Sequence, residues 1–287
     1  MNSTFWTNTI WFLLLFVTSM IALVLTLFKT NNIKFTIAFL FSIIGFSFIL
    51  EAILVLGFNA YTYYPKIVPD IFLDAVFGNY FSQISVSSTA LLLTTYKRSY
   101  IWYGVFALIY FLIDVLFINL GIYQHFWYRS IYTFFGFIIF SWFIKKWYEK
   151  ATNSTNRLIN YMSLYFGIAA ISTFTIFLGQ RLLGIQLLKG HFFSNTSKDN
   201  TSTGFVYQFI VINVLIILYR SKLHWIVKSL AFSCLFMAQY LVSSAGYIYI
   251  PKGLFFTVTS LDLIGCYCWI AVFSYLLSTR TTTHRSD

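Results

Sequence analysis

Residues Thr9–Phe28 read TIWFLLLFVTSMIALVLTLF, a run of twenty residues without a charged side chain. A helix of this length rises about 30 Å, which matches the hydrocarbon core of a bilayer. Similar apolar runs recur as far as Ser278, and the short segments between them hold most of the charges. The sequence therefore predicts a polytopic membrane protein built from transmembrane helices.

The apolar runs predict an all-α transmembrane bundle of about nine helices. The interruption from Gln180 to Thr203 is the longest one and is interpreted as a loop, so residues 1–287 are expected to form a single integral membrane domain. The predicted helices lie near residues 9–28, 35–57, 71–95, 100–121, 130–148, 158–179, 204–220, 226–247 and 254–278.

The composition excludes an ordinary soluble domain. Hydrophobic residues make up 59% of the chain and charged residues only 9%, whereas soluble domains carry about 25% charged residues. The net charge of +11 does not indicate nucleic-acid binding, because the basic residues are divided among the loops and form no contiguous basic segment. The lipid bilayer is the partner that this composition predicts.

The distribution of basic residues predicts how the chain is oriented. Alternate loops, together with the C-terminal tail, hold 13 of the 19 Lys and Arg residues, and the loops on the other side hold the remaining six. Cytoplasmic loops carry the excess of basic residues. We therefore expect a multi-pass protein of the cell membrane with its N-terminus outside and its C-terminus in the cytoplasm.

Three segments resemble one another. Glu51–Gly57, Asp114–Gly121 and Gln239–Gly246 each start with a polar residue, end with glycine and precede a cluster of aromatic residues with one cation. This pattern is typical of internal repeats in transporters and indicates repeated two-helix units. The alternative is that any outward-running helix ends with a glycine, an aromatic belt and a basic anchor.

Four carboxylates are predicted to lie in the outer half of the membrane. A carboxylate in the bilayer costs at least about 2.5 kcal/mol near the midplane, so it usually faces a cavity or a partner. Without a nearby cation it is expected to be protonated. Such an acid acts as hydrogen-bonding glue between helices, lines a solvated binding cavity, or simply lies at the membrane interface. The candidate cavity residues are these four acids and two neighbouring side chains: Glu51, Asp74, Asp114, Asp262, Tyr110 and His125.

The third predicted helix carries a stripe of small and polar residues. Asp74, Gly78, Ser82, Ser85 and Thr89 follow one another at helical spacings of three or four residues. Such a stripe lets helices pack closely or lines a water-accessible path. Both interpretations stay open at the level of sequence.

No sequence motif indicates a cofactor, a metal site or a catalytic residue. His125 has no second histidine, cysteine or carboxylate at a spacing typical of metal ligands. The chain contains no phosphate-binding glycine loop, no HExxH and no GxSxG. The sequence therefore predicts neither a cofactor nor a metal.

Part of the chain resembles a known group of proteins. Phe77-Gly-Asn-Tyr80, Asp114 with Leu120-Gly-Ile-Tyr-Gln-His125, and Lys146-Trp-Tyr148 resemble motifs of an uncharacterised family of small integral membrane proteins from endospore-forming Firmicutes. The resemblance covers roughly residues 70–150. It implies a bacterial cell membrane and no particular activity.

Three functions are compatible with these features. The favoured one is binding or passage of a proton, a small cation or a small molecule through an outer-facing cavity lined by buried carboxylates. The first alternative is a structural or partner-binding membrane subunit. The second is a membrane-embedded enzyme that acts on a lipid or an isoprenoid.

Overall fold

The computed structural model describes residues 4–153, 156–175, 183–251 and 253–279. Within these residues the chain forms nine α-helices, as predicted, and the all-α bundle is confirmed. The helices are α1 (Ile10–Lys29), α2 (Ile33–Ala52), α3 (Ile71–Thr95), α4 (Tyr100–Asn119), α5 (Ser130–Asn153), α6 (Arg157–Thr175), α7 (Thr196–Arg220), α8 (Trp225–Ser244) and α9 (Phe255–Ser278). Short strands lie between them: β1 (Tyr61–Tyr63), β2 (Tyr123–His125), β3 (Leu187–Leu188) and β4 (Ile248–Tyr249).

Seven of the helical segments within the described residues are long and apolar enough to cross a membrane. They include α1 with the π-helical turn before it and α2 with the π-helical stretch Ile53–Gly57 after it. Helices α3 and α5 are as long as the others, but α3 carries many Ser and Thr residues and α5 ends with several charges. The chain is a multi-pass membrane protein.

Helix α7 begins eight residues before its predicted start at residue 204. Its first two turns are polar, so the apolar pattern alone did not reveal them. The side chain of Asn195 caps this start by accepting a hydrogen bond from the backbone N–H of Lys198 at 2.9 Å. The predicted loop at 180–203 is therefore partly helical, whereas the predicted end of the sixth helix at residue 179 lies outside the described residues.

Both two-stranded sheets lie on one face of the bundle, which we call the sheet face. Strand β1 pairs antiparallel with β2, and β3 pairs antiparallel with β4. The first turns of the bundle are on the same face, because Asn8 donates a hydrogen bond to the carbonyl of Tyr64 at 2.8 Å. Ser197 donates to Asp70 at 2.7 Å and joins the loop before α3 to the start of α7. The loops α2–α3, α4–α5, α6–α7 and α8–α9 therefore share one side.

The opposite ends of the helices form what we call the basic face. Several Lys and Arg side chains there lie over aromatic rings, a favourable cation–π arrangement at a membrane interface. Lys145 lies 4.7 Å from the ring centre of Tyr100, and Lys34 lies 5.5 Å from that of Tyr275. The basic face is thus the side on which the sequence places most of the positive charge.

The chain contains two structural repeats of four helices each. The first repeat comprises α2–α5 and the second comprises α6–α9. Tyr63 pairs with Tyr123 in the first repeat and Leu188 pairs with Ile248 in the second, an offset of 125 residues for both partners. The starts of α3 and α7, of α4 and α8, and of α5 and α9 differ by the same 125 residues. Because each repeat has an even number of helices, both run in the same direction through the bundle.

This four-helix repeat explains part of the similarity seen in the sequence. Asp114 and Gln239 are 125 residues apart and occupy the same position in α4 and α8. Gly121 and Gly246 follow these two helices, and both adopt a positive φ, of 68° and 85°. The relation between Glu51 and Asp114 falls within the first repeat, so the smaller two-helix unit stays a prediction.

Helices α2 and α6 pack closely where the two repeats meet. A Cβ atom on Gly45 would lie 1.8 Å from the carbonyl oxygen of Phe166, so only glycine fits there. Nearby, Ser42 donates a hydrogen bond to the carbonyl of Ser163 at 2.7 Å. Small residues and such hydrogen bonds hold membrane helices together where hydrophobicity alone cannot.

Candidate functional site

The first repeat encloses a cavity of about 190 Å³ that we call the carboxylate cavity. It lies between helices α2, α3, α4 and α5 and below the β1–β2 sheet, and α1 contributes one lining residue. Its lining combines two carboxylates with phenol and amide groups. The polar lining residues used below are Glu51, Gln83, Tyr110, Asp114, Tyr128 and Thr133.

Glu51 lies near the end of α2, one turn before the sheet face. Its carboxylate accepts a hydrogen bond from the hydroxyl of Tyr61 in strand β1. It also accepts one from the amide of Gln83 in α3, with an Nε2–Oε1 distance of 2.6 Å. The backbone changes from α-helical to π-helical two residues after Glu51, a change that is frequent at functional sites.

Asp114 reaches the same cavity from α4 and is 7% exposed. The hydroxyl of Thr133 in α5 donates to its Oδ1 atom at 3.3 Å. Its Oδ2 atom faces Nε2 of His125 in strand β2 at 3.5 Å. Neither of these two buried atoms has a closer hydrogen-bond partner among the described residues.

The β1–β2 sheet joins the two carboxylates. Tyr61 and His125 are paired across the two strands, and each contacts one of the acids through its side chain. Next to them, the rings of Tyr63 and Tyr123 stack with 4.4 Å between their centres and line the cavity. The sheet therefore covers the cavity, and each of its two strands contacts one of the carboxylates.

The tyrosines of this cover remain neutral phenols. Burial raises the pKa of Tyr123 and of Tyr128. The charge of Asp114 raises both pKa values further, and that of Glu51 also raises the pKa of Tyr128. A neutral phenol can donate a hydrogen bond to an anion and offers its ring face to a cation. The tyrosines at the cover are thus suited to contact positive charge without supplying any.

Tyr110 lies at the other end of the carboxylate cavity. Its hydroxyl is within 2.9 Å of both Ser85 and Thr89 on α3, two members of the polar stripe predicted from the sequence. Its ring stacks on Phe137 of α5 with 4.8 Å between the centres. The stripe therefore contributes both to helix packing and to the polar end of the cavity.

Asp74 does not line the carboxylate cavity. Its carboxylate accepts hydrogen bonds from the backbone N–H groups of Lys66, Ile67 and Val68, at distances from 2.7 to 3.2 Å. These bonds close the loop before α3, in which Lys66 has a positive φ of 57°. The structure gives Asp74 a role in shaping this loop, away from the other predicted cavity residues.

Asp262 lies in the second repeat and is also separate from the carboxylate cavity. The hydroxyl of Tyr207 donates to its Oδ2 atom at 2.6 Å, and Gln239 donates to the same hydroxyl. Gln239 occupies the position that Asp114 has in the first repeat. The second repeat therefore replaces one of the paired acids with a neutral amide.

The structure thus brings together four of the six predicted residues. Glu51, Asp114 and Tyr110 line one cavity, and His125 contacts Asp114 from the cover. Sequence reasoning did not assign Tyr61, Gln83, Tyr128 or Thr133 to the site. Their signal in the sequence is weak because each is a single polar residue without a motif around it, and only the packing shows that they meet.

No family model, curated protein or solved structure matches this chain. The predicted resemblance over residues 70–150 stays a prediction. Arguments about function therefore depend on the geometry and chemistry of the carboxylate cavity.

Proposed function

We propose that this membrane protein binds a small organic cation, such as an amine or a quaternary ammonium ion, in the carboxylate cavity. One observation carries the proposal: Glu51 and Asp114 line the same cavity, and none of its described lining residues is Lys or Arg. Two acids that share a buried site favour a positively charged occupant, because no Lys or Arg of the described lining balances either of them.

The aromatic walls favour an organic cation over a strongly hydrated metal ion. Five tyrosines line the cavity, and a cation over an aromatic face gains about 0.5–2 kcal/mol. Recognition of quaternary ammonium groups commonly uses such aromatic walls together with a carboxylate. A cavity of about 190 Å³ suits a compact ligand of this class.

Binding is expected to be linked to movement of the β1–β2 sheet. Both carboxylates are used to hold this cover, through Tyr61 and His125. A cation that binds to the two carboxylates weakens their contacts with Tyr61 and His125, so the cover can shift. We propose that the ligand enters from the sheet face, which is the outer face if the excess of basic residues lies in the cytoplasm.

Equilibrium binding to the full chain in detergent tests this proposal. Choline is compared with 3,3-dimethylbutan-1-ol, which has the same shape but no charge. We expect saturable binding of choline and none of the neutral analogue. Glu51→Gln and Asp114→Asn should each weaken choline binding by about tenfold or more, because each removes a buried charge that pairs with the ligand.

Asp262→Asn is the matched control, since Asp262 is a membrane carboxylate outside this cavity. It should leave choline binding unchanged. Equal binding of the neutral analogue, or full affinity in both cavity variants, would refute the proposal.

A further inference from the structure

A second, much smaller cavity lies on the other side of Glu51, where the two repeats meet. Its volume is about 30 Å³, and Glu51 lines both this cavity and the carboxylate cavity. Two pairs of equivalent residues from the repeats face it, Val76 with Thr201 and Tyr80 with Phe205. The cavity therefore exists only because α3 and α7 approach each other beside α2.

Two residues that line this small cavity carry a buried oxygen atom without a hydrogen-bond partner. The Oδ1 atom of Asn79 and the Oγ1 atom of Thr201 are both buried and have no hydrogen-bond partner among the described residues. Thr201 is only 2% exposed. An unsatisfied buried polar group costs about 1–3 kcal/mol, so two of them around one cavity indicate an occupant that satisfies both.

The charge of the site defines the class of this occupant. Glu51 already accepts hydrogen bonds from Tyr61 and Gln83, and Asn79 is close enough to add a third. Hydrogen bonds donated to a carboxylate favour its charged form, and a buried charge needs a counter-ion. No Lys, Arg or His is among the described residues that line the small cavity. A single cation would balance Glu51.

The geometry points to a binding site for one Na⁺ ion formed by Glu51, Asn79 and Thr201. Carboxylate, amide carbonyl and hydroxyl oxygens are the ligands that hard cations prefer. One negative charge matches a monovalent ion, and about 30 Å³ accommodates a Na⁺ ion with a remaining water molecule. The site is distinct from the carboxylate cavity, because Asp114 does not line it.

The shared position of Glu51 gives the Na⁺ site a consequence for the larger cavity. An ion beside Glu51 fixes the carboxylate that also faces the organic cation, so the two occupants affect each other. The two effects are equal in size: the factor by which Na⁺ changes the affinity for the organic cation is the factor by which the organic cation changes the affinity for Na⁺. This coupling depends on the proposed function, whereas Na⁺ binding itself does not.

Thermal unfolding of the full chain in detergent tests the Na⁺ site. NaCl should raise the unfolding midpoint of the wild-type protein in a saturable way, because the ion binds only the folded state. CsCl at equal ionic strength should not, since the larger ion does not fit. Thr201→Val should weaken Na⁺ binding by about tenfold or more, and Thr201→Ser, which keeps the oxygen, should retain it.

Thr259→Val is the matched control. Thr259 is a buried threonine whose hydroxyl also has no partner among the described residues, but it lies on α9 away from the site. Its variant should show the wild-type response to Na⁺. Asp114→Asn should lose choline binding and keep the response to Na⁺, so failure of one proposal is distinguishable from failure of the other.

Direct binding of ²²Na to the wild-type protein decides the question without any variant. Saturable binding that unlabelled Na⁺ displaces and Cs⁺ does not supports the site. Equal stabilisation by NaCl and CsCl, or absence of saturable ²²Na binding to folded protein, overturns it. A wild-type response to Na⁺ in Thr201→Val would overturn the assignment of the ligands.

Discussion

At the residue scale, four acids of this chain divide into two kinds. Asp74 and Asp199, which are 125 residues apart, bond to the backbone of the loop before their own helix. Asp199 accepts hydrogen bonds from four consecutive backbone N–H groups, those of residues 190–193. Glu51 and Asp114 instead contact side chains that surround a cavity. Acids of the first kind satisfy backbone N–H groups of the chain, whereas acids of the second kind remain available to a ligand.

Asp74→Ala should therefore destabilise the protein. The substitution leaves three N–H groups without their acceptor, and the free energy of unfolding should fall by about 3 kcal/mol. Asp199→Ala should have a similar effect in the second repeat, and Asp74→Asn, which keeps one acceptor oxygen, an intermediate one. Thermal unfolding in detergent measures these differences. Wild-type stability of both alanine variants would contradict the structural role.

At the scale of elements, the repeats depend on the contact between α2 and α6. Gly45 has no room for a side chain beside the backbone of α6, and Ser42 bonds to the same helix. The small cavity is formed by α2, α3 and α7, and its lining on α2 begins at Phe48, three residues after Gly45. Close helix packing thus places chemical groups of both repeats around Glu51.

Gly45→Val should separate these helices and abolish folding. The added side chain would overlap backbone atoms of Phe166, which cannot move as a flexible side chain does. Gly104→Ala is the control, because a Cβ atom at Gly104 in α4 meets nothing within 4 Å. That variant should be as stable as wild type or slightly more stable, since alanine is more favourable than glycine inside a helix by about 1 kcal/mol. Yield of monodisperse protein and its unfolding midpoint measure both outcomes.

At the scale of the whole molecule, the two faces differ in charge and in structure. The sheet face carries both two-stranded sheets and the cover of the carboxylate cavity, whereas the basic face carries aromatic rings with Lys and Arg over them. Because basic residues favour the cytoplasm, the cavity cover is expected outside the cell. A ligand would then meet the tyrosines and His125 before it meets the carboxylates.

Reporter fusions can test this orientation. A fusion after Lys150, at the basic end of α5, should report the cytoplasm. A fusion after Ser194, in the loop of the sheet face, should report the exterior. If both fusions report the same side, α6 does not cross the membrane as predicted. If the first reports the exterior and the second the cytoplasm, the predicted orientation is wrong.

Much of this architecture could be predicted from the sequence alone. Helix length and apolarity are local properties, so the runs of about twenty residues determined the number of helices and their order. The charge distribution likewise identified the basic face, because each loop contributes its own charges. Acids within apolar runs, such as Glu51 and Asp114, could be identified as unusual because their desolvation is costly wherever they lie.

Only the tertiary structure decided which of these acids share a cavity. Asp74 and Glu51 look alike in the sequence, yet one closes a loop and the other faces two cavities. The offset of 125 residues between the repeats left only a faint trace in the sequence, the similarity between Asp114–Gly121 and Gln239–Gly246, because lipid-facing positions accept any apolar residue. Contacts between helices depend on rotation and crossing about each axis, and a single run of apolar residues does not determine either. For that reason the sequence determined the helices of this protein, and packing alone determined its site.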